Sequence, residues 1–126
     1  MTKEEHIRYW LASAEHDFEA AESLFKSEKY DWSLFIAHLV LEKGFKAMFV
    51  KVNDNKVPPK IHNLVKLSEL CELKLGEDVR IFLDEVNDFN LEIRYPEYKQ
   101  EFYKMCSKEY SQIYLTKIKE MFQWLK

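Results

Sequence analysis

Only two glycines, Gly44 and Gly76, and three prolines, Pro58, Pro59 and Pro96, interrupt this chain of 126 residues. Turns consume both residue types, because glycine enters backbone conformations that other residues resist and proline presets them. A sheet protein of this length needs many turns and would draw on far more of both. The chain is restricted to a few long helices joined by short connections. Apolar spacing agrees. Ile7, Leu11, Ala14, Phe18, Ala21 and Phe25 recur in steps of four and three, which keeps one apolar stripe on one side of a helix. Thr2 followed by Glu5 is a capping-box pattern, so a first helix is predicted from Lys3 to about Lys26.

A second helix is predicted after Asp31, a good N-cap, with Tyr30 and Phe35 as a hydrophobic staple across the cap. Its middle, Leu34 to Leu41, is apolar on nearly every side and broken only by His38. A helix of that kind is surrounded by neighbours, either as the central helix or in a dimer interface, and this one runs on to about Val52. Asn53-Asp54-Asn55 and Pro58-Pro59 make a loop. A short third helix is predicted from Ile61 to Cys71, and Gly76 marks the next turn. Val79, Phe82, Val86, Phe89 and Ile93 carry a fourth helix from Glu77 to Ile93, ended near Arg94 or Tyr95 by Pro96. A fifth is predicted from Glu97 to Trp124, with Tyr103, Cys106, Tyr110, Ile113, Ile118, Phe122 and Leu125 as its stripe. No repeat or linker divides the chain, so residues 1–126 are expected to form one domain. The expected fold is all-α: an antiparallel up-and-down four-helix bundle with one additional short helix.

Charge narrows the function. The formal net charge is −3, whereas a broad electrostatic grip on nucleic acid needs net basic surface. The charge is nevertheless segregated. Lys43, Lys46, Lys51, Lys56, Lys60 and Lys66 face only Asp54 in their stretch, while residues 69–92 are predominantly acidic. Solvated helix faces of opposite sign are the plain reading, and a local basic site is the sharper one. Cys71 and Cys106 form no CxxC and sit at helical spacing among apolar residues, which makes them buried thiols. The charged N-terminus has no signal core, and no apolar run approaches the roughly 20 residues of a membrane span. A reducing cytosol is the expected compartment, with no membrane partner.

Phosphate loops and HExxH are missing from the sequence, and Cys71 and Cys106 have no activating motif nearby, so no metal, no cofactor and no catalytic set is assigned. The informative residues are polar ones on apolar helices. His38, Glu42 and Lys46 stand at i, i+4 and i+8 on the second helix and rise on one face, with Lys43 beside them. Asn87, Asn90 and Arg94 form a second polar line on the fourth. If the two helices are neighbours, the lines confront one cleft, in which Arg94 can grip a phosphate through its planar fork. The plainer readings are an ordinary i, i+4 pair for Glu42–Lys46, a C-terminal dipole contact for Arg94, and a supporting role for His62 at the start of the third helix.

An ordered set of residues resembles the HEPN domain family (higher eukaryotes and prokaryotes nucleotide-binding). The set comprises Trp10, Ala14, Asp17 and Phe18; Tyr30-Asp31-Trp32-Ser33 leading to Phe35-Ile36-Ala37-His38; Glu42-Lys43 with Lys46-Ala47; Pro58-Pro59 with His62-Asn63-Leu64; and Arg94-Tyr95-Pro96. The resemblance implies a helical bundle that commonly forms a homodimer and a role near nucleotides or RNA. It also implies pairing with a minimal nucleotidyltransferase in a prokaryotic toxin–antitoxin or defence module. Ribonuclease members carry Arg, four to six residues, then His. Here no histidine follows Arg94, and Arg8 reaches His16 only across seven residues. The signature is missing, which leans against an enzyme. The leading expectation is a dimeric domain that binds a nucleotide, another phosphate ligand or a protein partner through His38, Glu42, Lys46, Asn90 and Arg94. The alternatives are a divergent metal-independent ribonuclease toxin, with His38 or His62 standing in for the missing histidine, and a non-catalytic dimerisation scaffold.

Overall fold

The computed structural model describes residues 1–126 as six helices: α1 (Lys3–Lys26), α2 (Tyr30–Val52), α3 (Leu64–Leu70), α4 (Glu77–Arg94), α5 (Pro96–Met105) and α6 (Lys108–Leu125). The long members α1, α2, α4 and α6 build the expected bundle. α2 is its centre and packs against α1, α3, α4 and α6. Its residues Leu34, Ala37, Val40, Leu41 and Phe45 have no exposed surface at all. Gly44 marks the closest approach of α6, since a Cβ there would meet Leu125 Cδ1 at 3.2 Å and Phe122 Cδ1 at 3.3 Å.

Helix α1 begins as its sequence dictates. The Thr2 hydroxyl accepts from the Glu5 N–H at 3.1 Å, and the Glu5 carboxylate accepts from the Thr2 N–H at 3.1 Å. Helix α2 starts earlier than expected. Lys29 is the cap residue, and Asp31 lies inside the first turn. The staple is displaced with it: Tyr30 packs edge-on against Phe25 of α1 at 5.2 Å, and Phe35 meets Trp32 at 6.0 Å. Helix α3 is shorter than expected because Asn63, not a residue near Ile61, caps it, accepting from the Lys66 N–H at 3.1 Å.

The long fifth helix does not form. The chain breaks at Cys106 and Ser107, and the Ser107 hydroxyl accepts from the Tyr110 N–H at 3.1 Å to start α6 afresh. Serine competes for backbone hydrogen bonds in just this way. The break also shifts the buried stripe. Tyr103 and Ile113 point outward, whereas Phe102, Cys106, Leu115, Ile118, Phe122 and Leu125 face the core. Phe102 packs on Phe89 at 5.6 Å and anchors α5, a burial that contributes about 2 kcal/mol. Both cysteines are free and buried. Burial pushes the Cys71 thiol up to about 12, which leaves it without nucleophilic thiolate at neutral pH. Among the described residues, no helix is long and apolar enough to cross a membrane.

Candidate functional site

The polar lines of α2 and α4 meet. His38 has no exposed surface, and Glu42, Lys46 and Asn90 are nearly as deeply buried. A buried polar group is costly unless it is hydrogen-bonded, and here each finds its partner. His38 Nε2 lies 3.0 Å from the backbone carbonyl of His62, and its Nδ1 lies 3.3 Å from Asn90 Nδ2. A carbonyl only accepts, so Nε2 carries the proton and Nδ1 accepts from the asparagine amide. Those contacts satisfy the neutral imidazole. Desolvation lowers the His38 pKa to about 4, outweighing the Glu42 carboxylate and the His62 carbonyl, which act in the opposite direction; the His62 ring and Arg94 add to the lowering.

Glu42 is the hub. One oxygen accepts from Lys46 Nζ at 3.0 Å, and the other lies 2.8 Å from His62 Nδ1 and 4.0 Å from His38 Nδ1. With His38 neutral, the last is a dipolar contact and not an ion pair. Lys46 is further enclosed by the Trp10 ring, 5.4 Å from its Nζ. The ammonium expected to meet a ligand is therefore already committed to a carboxylate and an aromatic face. Lys43 leaves the site altogether, pairing with Asp17 of α1 at 2.6 Å and donating to the Ser13 hydroxyl at 2.8 Å.

The second polar line divides into three tasks. Asn87 accepts from the Leu64 N–H at 2.8 Å and donates to Asn63 at 3.1 Å, locking the start of α3 onto α4. Asn90 orients His38. Arg94, at the last turn of α4, is exposed and lies over the Phe35 ring at 5.9 Å. The arrangement is a closed polar network with an outward rim. Two rim groups reach solvent, Arg94 and the His62 side chain, which is 53% exposed. The charge of both bears on His38.

The sequence-derived set His38, Glu42, Lys46 and Asn90 is thus brought together, with Arg94 at its edge. Sequence reasoning assigned His62 to the start of the third helix and missed its bond to Glu42. Its place after Pro58-Pro59, where the loop is stiff, was the only available signal. Trp10 entered only among the residues that carry the family resemblance, with no role at the site assigned to it.

The family model described as HEPN domain matches residues 7–126. Among solved structures, TT1696 from Thermus thermophilus superposes with a TM-score of 0.76 at 17% identity, over 95% of this chain and 95% of that one. At that identity the likeness extends to the fold. Among curated proteins no match is found.

Proposed function

Because the chain belongs to the HEPN domain family, we propose that it is a HEPN-type binding domain taking a nucleotide or other phosphate ligand at the rim where α2 meets α4. Arg94 and His62 make the direct contacts. Arg94 makes no ion pair among the described residues, so its fork is available for phosphate oxygens. His38, Glu42, Lys46 and Asn90 form the layer beneath and hold the two rim groups in place. The observation that carries this reading is the buried Glu42 carboxylate shared between Lys46 and the half-exposed His62. It ties a solvent-facing imidazole to the core of the bundle. Calorimetric titration with ATP and GMP tests it. Wild type should bind and Arg94→Ala should weaken binding about tenfold or more, as loss of a charged hydrogen bond does. Absence of binding by both proteins would remove the nucleotide reading.

A dimeric scaffold is the second reading, and a specific surface supports it. Trp32, Leu91, Tyr95 and Tyr98 are 40–52% exposed. Lys99 reaches over Trp32 at 5.1 Å, as Arg94 does over Phe35, which puts these aromatic and basic groups beside the rim. A second copy seated there would set two rims side by side, and a nucleotidyltransferase partner of a toxin–antitoxin pair would compete for the same aromatic face. Sedimentation of wild type and Trp32→Glu distinguishes the cases: a dimer lost in the variant supports the scaffold, and a monomeric wild type opposes it.

A further inference from the structure

Around the seat of α5, two carboxylates are left without ion-pair partners among the described residues. Asp31, in the first turn of α2, is 6% exposed, and among the described residues its side chain forms no ion pair. It borders a cavity of about 390 Å³ together with Glu28, Tyr30 and Tyr103, and an adjoining one of about 350 Å³ with Lys99 and Tyr103. From α4, Glu92 borders a third, of about 370 Å³, and its Oε2 is buried with no hydrogen bond. Both carboxylates stand near the Cys106 thiol, which is pushed up to about 12 by burial first and by Asp31 and Glu92 after it. Two helices therefore aim negative charge at the seat of α5.

An unpaired buried carboxylate is expensive and calls for a cation. Lys104 and Lys99 line these spaces, yet among the described residues neither pairs with Asp31 or Glu92. Lys104 Nζ turns to Glu101 at 4.0 Å, and Lys99 is taken by Trp32. Among the described residues, no group of three or more His, Cys, Asp or Glu is placed to hold a metal, so the donor set does not suit a divalent ion. The walls suit an organic cation instead, because the tyrosine rings can pack on carbon and attract positive charge. Each space falls within the volume range of small-ligand pockets.

We propose that the cavities around Asp31 bind a small alkylammonium ligand, with the Asp31 carboxylate as its anchor and Tyr30 and Tyr103 against its carbon chain. The proposal stands or falls without the phosphate reading of the rim. Equilibrium dialysis of the full chain against radiolabelled putrescine tests it, with butane-1,4-diol as the uncharged counterpart. Saturable binding is expected, displaced by unlabelled putrescine and not by the diol, and about tenfold weaker in Asp31→Asn. The proposal is overturned by non-saturable uptake, by unchanged affinity in folded Asp31→Asn, or by equal displacement with magnesium chloride at matched ionic strength. If Asp31→Asn fails to fold, Tyr103→Ala, at an exposed side chain, decides: weaker binding supports the site, and unchanged binding overturns it.

Discussion

Glu42→Ala is the perturbation that separates a working polar network from a set of coincidental contacts. The carboxylate accepts from Lys46 and neighbours His62, and its side chain is 7% exposed against 8% for Lys46. Removing it leaves the Lys46 ammonium buried without a counter-charge. Breaking a buried pair from one side costs about 3–5 kcal/mol, a large share of the roughly 5–15 kcal/mol that holds a domain together. The cost lies in the orphaned charge and not in the pair itself. Glu42→Gln combined with Lys46→Met removes both charges at similar volume and should recover most of the loss. Urea melts followed by far-ultraviolet circular dichroism give all three stabilities. A Glu42→Ala cost below about 1 kcal/mol, the value of an exposed pair, would refute the reasoning. So would a double variant no more stable than the single one.

Three further outcomes follow from particular residues. His38 stays neutral in the fold down to about 4, whereas the unfolded chain protonates near 6.5; the unfolded state therefore holds more protons in that window, and stability should fall by about 3 kcal/mol as the pH drops through it. Glu42, His62 and Arg94 are the charged groups facing it, and urea melts of His38→Asn against wild type isolate its share as a flattened slope. Ser107→Ala should cost about 1 kcal/mol by uncapping α6, read as a lowered urea midpoint with unchanged slope. Glu72 sits at φ 59° just past α3, a left-handed conformation costly for a side chain, so Glu72→Gly should raise stability by up to about 1 kcal/mol in the same assay.

The bundle was legible because its helices are long and their apolar stripes regular. α1 began at its capping box and ended just past its last apolar residue, and α2 revealed its central place through the octet around His38. The breaks were less legible, for a physical reason. Glycine and proline are scarce, yet the chain still turns through Glu28, Asp54, Asn55 and Glu72, all at positive φ, and at Ser107 through a cap. Asp54 and Asn55 are marked as loop by residue type, whereas Glu28 and Glu72 carry no such mark. The same limit applies to the site. Spacing put His38, Glu42 and Lys46 on one face, and the face was correct. Spacing also offered Glu42–Lys46 as an ordinary i, i+4 pair, but it could not say that a loop would bring His62 onto the same carboxylate, because that contact spans 20 residues of chain.

The central claim is that the rim of α2 and α4 receives phosphate through Arg94 and His62. An isotope-labelled nuclear magnetic resonance titration with GMP tests it most directly, since it reports each side chain separately. The account predicts that the Arg94 guanidinium and His62 ring signals shift together and saturate together, with Asn90 and His38 following more weakly, and that Arg94→Ala abolishes the set. Rim signals unmoved at saturating nucleotide, or shifts confined to the α1–α6 face, would contradict it.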